Sequence, residues 1–228
     1  MASTITQLIA KFTQGGFYPS CDATTAESIF QDVYREVLMS IEIRTNTVTF
    51  NVTAGTATYD ISENTIRILE AYWQTGATAT DLHPLTQISL RELSITNPSF
   101  RKLGNGRPDS IYSTSTIDSD SGKLQVGLYP VPSESTSGTY PRVLLYVTQY
   151  VNLSGSDTVP NSVLTDNLFL YGMAYQWAVR QDPEKAAYWQ RLYNLEMGKN
   201  QDHVYRLMNN APLTMAISPI QGKQTRRP

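Results

Sequence analysis

The sequence predicts an α+β fold: a helical bundle built from N- and C-terminal helices, an inserted antiparallel β-sandwich or barrel domain, and an extended C-terminal arm. Three observations predict it. Apolar residues recur at helical spacing towards both ends of the 228-residue chain, they alternate at period two between those ends, and prolines interrupt the final stretch. The expected divisions are residues 1–45 and 156–211 for the bundle, 46–155 for the β domain and 212–228 for the arm.

The first helical signal is Ile29, Val33, Val37 and Ile41 at four-residue spacing, with Phe30, Tyr34 and Leu38 beside them. It predicts an amphipathic helix over about residues 25–43, with a capping box at Thr24-Thr25-Ala26-Glu27. A shorter helix is expected over residues 4–13. The period then changes. Val48, Phe50 and Val52 alternate with polar residues, Ala54-Gly55-Thr56 turns the chain, and Ala57, Tyr59 and Ile61 alternate again, which reads as a hairpin. Strand-like runs follow at 65–74, 109–116, 123–129 and 142–151, and one or two helical turns fit Ser89-Leu90-Arg91-Glu92-Leu93. Pro130 and Pro132 lack backbone donors, so they should end the strand before them and discourage pairing beyond it.

Helix returns with a stripe of Leu164, Leu168, Tyr171, Tyr175 and Val179 in a segment apolar nearly all round, as a helix buried on several sides would be. Asp182-Pro183 closes it and opens the next, with Asp as N-cap and Pro at the first helical position. That last helix can run to about residue 210, with Gly198 weakening its middle. Helices at opposite ends with unpartnered apolar stripes should pack on each other, which makes the strands an insertion.

Composition narrows the function classes. Net charge is −2, without the basic footprint of a nucleic-acid binder. A single cysteine, Cys21, excludes an internal disulfide framework. No apolar run approaches the ~18 residues that span a bilayer, and the N-terminus has no secretory pattern, so no membrane partner and a cytoplasmic site of synthesis are expected.

No cofactor or metal is expected, and no catalytic constellation. His83, before Pro84 in a predicted loop, and His203, on the last helix, are far apart in sequence. Nothing supplies a nucleophile, base and orienter, and Cys21 reads as a plain thiol. Asp118-Ser119-Asp120-Ser121-Gly122 resembles the start of a calcium loop, but its twelfth position is Tyr129 and a hairpin turn accounts for it. Gly104-Asn105-Gly106 lacks a third glycine and reads as a flexible loop rather than a dinucleotide fingerprint. Fourteen tyrosines suit protein interfaces. One of Tyr72 and Trp73 should face solvent, which opens a second reading, a carbohydrate-binding β module.

Past Asp202 there is no acidic side chain, while Arg206, Lys223, Arg226 and Arg227 are basic. Residues 212–228 also carry Leu213, Met215, Ile217 and Ile220. The residues fit either an unstructured basic end or an arm that docks by strand addition or apolar anchors on an acidic partner.

The order of several weak motifs carries a resemblance over about residues 24–195. A helix precedes a Val-rich segment closing on Tyr59-Asp60-Ile61, followed by Gly106-Arg107-Pro108-Asp109-Ser110-Ile111-Tyr112. Then come Leu124-Gln125-Val126-Gly127-Leu128-Tyr129-Pro130-Val131-Pro132, a strand through Leu145-Tyr146, and a helix with Leu170-Tyr171-Gly172-Met173-Ala174. This order resembles the head-to-tail adaptor (connector) proteins of tailed bacteriophages, particularly short-tailed ones. The resemblance implies a non-enzymatic virion protein at the head–tail junction, assembled in the host cytoplasm as a twelve-copy ring beneath the portal. It implies as partners the portal protein, neighbouring subunits and further tail components such as a nozzle or fibres, with double-stranded DNA only as transient cargo. It makes Leu213, Met215, Ile217, Ile220, Lys223, Arg226 and Arg227 the portal-binding arm.

Overall fold

The computed structural model describes residues 3–61, 64–98, 100, 105–117, 124–159 and 164–208, with the backbone alone described at 115–117 and 208. Helix α1 (Ile5–Gln14) opens on a capping box: Gln7 N–H donates to Thr4 Oγ1 at 3.2 Å, and Thr4 N–H to Gln7 Oε1 at 3.0 Å. Helix α2 (Ala23–Ser40) starts earlier than its sequence signal. Asp22, not Thr24, is the N-cap, and its carboxylate accepts Thr25 N–H at 2.9 Å and the Thr25 hydroxyl at 2.6 Å. The helix also stops sooner, and Ile41 and Ile43 stay buried as extended chain.

Among the described residues every strand lies between α2 and α4 (Asp166–Gln181). They are β1 (Asn46–Asn51), β2 (Thr58–Ile61), β3 (Thr65–Gln74), β4 (Leu82–Pro84), β5 (Thr86–Ser89), β6 (Ser110–Ile117), β7 (Leu124–Tyr129) and β8 (Arg142–Gln149), with the two-turn helix α3 (Leu90–Thr96) after β5. One sheet has the order β1-β8-β3-β4 and the other β2-β7-β6-β5. Val52, Ala71, Trp73, Val143, Leu145 and Val147 from one side and Ile61, Ile111, Val126 and Leu128 from the other form a single apolar core. Neither sheet closes into a barrel.

Three expectations are corrected here. β1 and β2 are not a hairpin: β1 pairs with β8 and β2 with β7, so the turn at Ala54-Gly55-Thr56 carries the chain between sheets. The pairing is not wholly antiparallel, because β5 lies parallel to β6. His83 lies in β4 opposite Trp73 rather than in a loop.

The helices share a second core. α4 (Asp166–Gln181) packs on α1, α2 and α5 (Pro183–Met208), burying Leu168, Phe169, Met173, Ala174 and Ala178. The expected stripe is offset: Val179 is exposed and Tyr171 and Tyr175 are half-buried, because the α4 core face centres on Phe169 and Met173. Asp182 ends α4, its carbonyl takes Lys185 N–H at 3.0 Å and its carboxylate holds Lys185 Nζ at 2.8 Å. At ~1.5 Å per residue, the 26-residue α5 is roughly 40 Å long.

Candidate interaction surfaces

The glycines in the resemblance motifs sit where backbones or rings approach closely. Gly172 lies at the crossing of three helices, where α4 meets Val33 of α2 and Tyr193 of α5. Gly127 in β7 stands opposite Tyr112 in β6, and a Cβ there would fall within the Tyr112 ring. Gly106 is not a free loop residue: its N–H donates to Val131 O at 2.8 Å, and Ser133 N–H donates to Gly106 O at 3.0 Å.

These bonds also revise the part played by the prolines. Pro130 and Pro132 end β7, yet the chain beyond keeps pairing through its carbonyls and the Ser133 amide. Gly55 N–H donates to Pro132 O at 2.9 Å, and Thr136 N–H donates to Val52 O at 2.9 Å. Val52 N–H returns to Thr136 Oγ1 at 2.8 Å. A proline lacks a donor but keeps an acceptor. The polar loop after β7 is therefore stitched to the turn that carries the chain between sheets.

On the bundle, aromatic rings layer between the α1–α2 connection and the α4–α5 pair. Trp189 Nε1 donates to the Tyr18 hydroxyl at 2.9 Å, and its ring lies 5.4 Å from Phe17 and 6.1 Å from Tyr171. Outside this layer, α5 leaves Tyr188, Leu195, Tyr205 and Leu207 exposed.

Where α5 ends, a groove of about 720 Å³ runs between the helices and the first sheet, lined by Ser40, Ile41, Glu42, Arg67, Glu70, Gln201, Val204 and Tyr205. Arg67 spans it, pairing with Glu42 at 2.8 Å and donating to Met39 O at 3.1 Å, while Gln201 Nε2 reaches Ser40 O at 3.1 Å. Beside it the outer face of the first sheet carries an aromatic and ionic cluster. The Arg44 guanidinium lies 3.4 Å from the Tyr146 ring centre, Tyr146 meets Tyr72 edge-on, and the Tyr72 hydroxyl donates to Glu70 at 2.8 Å. Donating to a carboxylate holds the Tyr72 phenol above its ordinary range.

One buried polar network went unseen in the sequence. Asn200 Oδ1 accepts Thr165 N–H at 3.1 Å, and Thr165 Oγ1 donates to Glu196 at 2.9 Å. Its signal was two polar residues, Glu196 and Asn200, on the same helical stripe as Tyr193 and Val204.

Among the described residues, no group of three or more His, Cys, Asp or Glu could hold a metal, and no helix is long and apolar enough to cross a membrane. His203 is an exposed residue of α5, well separated in the chain from His83 in β4. Cys21 is buried, and burial, then the neighbouring Asp22 charge, push its thiol up, away from the reactive thiolate. Trp73 is fully buried between the sheets, which leaves Tyr72 as the partly exposed member of the pair and removes the indole from any sugar-stacking surface.

The residues expected to form the arm, Leu213, Met215, Ile217, Ile220, Lys223, Arg226 and Arg227, lie outside the described residues, as does the segment from Asp118 to Gly122 expected to form a turn. Comparison with known proteins gives one family. The model of that family, described as SU10 adaptor protein, matches residues 2–216. No curated protein matches the chain.

Proposed function

The chain belongs to the SU10 adaptor protein family, and from that membership we propose that it is a structural virion protein joining the head of a tailed bacteriophage to its tail. It is not an enzyme. The observation that carries the proposal is a family match over nearly the whole chain, on a fold whose terminal helices share one core while all the described strands lie between α2 and α4.

In this proposal twelve copies form a ring beneath the portal, with residues 1–45 and 156–211 as the bundle and 46–155 as a β-sandwich domain facing neighbouring subunits or the next tail component, a nozzle or fibres. Residues 212–228 grip the portal: Leu213, Met215, Ile217 and Ile220 as apolar anchors, Lys223, Arg226 and Arg227 on an acidic surface. DNA passes through as cargo. A chain of net charge −2 neutralises few phosphates and holds DNA weakly. The protein assembles in the host cytoplasm and resides in the virion, with no membrane partner.

The test is co-sedimentation with the portal protein from the same genome, read by native mass spectrometry. The full chain should bind at twelve copies per portal, and a chain lacking residues 212–228 should fail to bind. Equal binding by the shortened chain overturns the arm assignment.

A further inference from the structure

Helix α5 carries an ordered surface stripe that its own bundle does not use. Tyr188, Arg191, Leu195, Gly198, Asp202 and Tyr205 follow one another at alternating three- and four-residue spacing, which keeps them on one face of the helix. Tyr188, Leu195 and Tyr205 are each more than half exposed, and Arg191 and Asp202 are exposed beside them. No ion pair among the described residues uses Arg191 or Asp202. Gly198 stands in the helix interior, where glycine is unfavourable, and nothing lies within 4 Å of its missing Cβ. Unlike Gly172, it makes room for no described neighbour in its own chain.

The stripe is complementary to itself. Its members match about a midpoint between residues 196 and 197: Tyr188 with Tyr205, Arg191 with Asp202, and Leu195 with Gly198. Against an antiparallel copy of α5, each Arg191 therefore faces an Asp202 and each Leu195 faces the gap at a Gly198. Parallel pairing in the same register would instead set Arg191 against Arg191 and Asp202 against Asp202. Opposite charges attract across such a seam and like charges oppose it, so charge selects a second copy of this chain in the antiparallel sense.

We propose that this face of α5 is a two-fold contact between two copies of the chain. The α5 helices pack antiparallel, and Leu195 of each copy fills the gap at Gly198 of the other between two Arg191–Asp202 ion pairs. Tyrosines meet at both ends, where Tyr205 also lines the groove beside the first sheet. At ~1.5 Å per residue the paired stretch, from Tyr188 to Tyr205, is roughly 25 Å long. The 3.5-residue mean spacing suits helices crossing at about 20°. A self-complementary patch closes with two copies, whereas a cyclic ring joins two different patches on each subunit. The contact therefore lies apart from the proposed ring. It makes the free form of the chain a dimer, which shields Leu195 and the tyrosines before the ring is built. It does not depend on the head–tail reading.

The experiment is sedimentation equilibrium of the full chain, with circular dichroism of each variant as a check on folding. The wild type should dimerise at micromolar concentration. Asp202→Arg or Arg191→Asp makes both ion pairs like-charged and should weaken the dimer at least tenfold. The double exchange, Arg191→Asp with Asp202→Arg, should return it to within about threefold of the wild type. Gly198→Leu, which fills the gap, should weaken it as well. Both charged positions are exposed, so their reversal leaves the core untouched. A wild type that stays monomeric overturns the proposal. So does a dimer indifferent to the single reversals, or one that the double exchange fails to restore. A monomeric wild type whose portal binding is lost with Leu195→Asp gives this face to the portal instead, and overturns the dimer equally.

Discussion

Gly172 and Val33 set how closely α4 approaches α2: a Cβ built on Gly172 would stand 2.6 Å from Val33 Cγ1, and 2.9 Å from Tyr193 Cε2 of α5. Val33 is fully buried and Tyr193 nearly so, which leaves little room for either to yield.

Gly172→Ala should therefore destabilise the protein by about 1–3 kcal/mol, despite the better helix propensity of alanine. Gly198 is the control. Nothing lies within 4 Å of its missing Cβ, so Gly198→Ala should stabilise the isolated chain by about 0.5–1 kcal/mol. Urea unfolding of the two variants checks both signs.

Asn200 is almost wholly buried and takes the Thr165 amide at the start of α4. Asn200→Ala leaves that N–H without its partner and should cost about 1–3 kcal/mol in the same assay. Lys199→Ala removes the exposed ammonium that pairs with the largely buried Glu196, which keeps its hydrogen bond from Thr165, and should cost less, about 0.5–1 kcal/mol.

Asp166 ties α1 to the first turn of α4. Partial burial acts to raise its carboxyl, but hydrogen bonds from Lys11 and Ser3 and the Lys11 charge outweigh that and hold it below the ordinary carboxylate range. A depressed folded value stabilises the protein above the unfolded carboxylate value of about 3.9, and the gain is lost as pH falls through the depressed value. Asp166→Asn should thus be less stable than the wild type at pH 7 by about 0.5–1 kcal/mol, and the gap should close below about pH 4. Thermal unfolding across pH 2–7 measures it.

Trp73 has no exposed surface, so a sugar cannot stack on it. Titration with glycans should leave Trp73 emission unchanged, read in a variant whose other two tryptophans are replaced by phenylalanine. A saturable change would revive the carbohydrate-binding reading.

The sequence showed most elements and few of their partners. Periodicity is a property of neighbouring residues, and it located the strand at 65–74 and the succession of α4 and α5 across Asp182-Pro183. Sheet membership depends on contacts distant in the chain. Val48 to Ile61 alternates as a hairpin would, yet β1 joins a strand almost a hundred residues later, because alternation marks a strand without naming its neighbour. β4 and β5 were missed because three or four residues carry too little pattern. The carboxylate that caps α2 lies two residues before the predicted box, where its geometry suits the Thr25 amide. The features of the candidate surface were legible only as composition. Tyr72, Tyr146 and Arg44 are scattered in sequence, and pairing of β3 with β8 brings the two tyrosines together.

The central claim is assembly at the portal, and the most direct measurement is electron microscopy of the purified full chain mixed with the portal protein from the same genome. The account predicts a twelve-copy ring of this chain seated beneath the portal, with an open channel on its axis. Portal particles that stay bare, or that carry scattered copies without a closed ring, would contradict it.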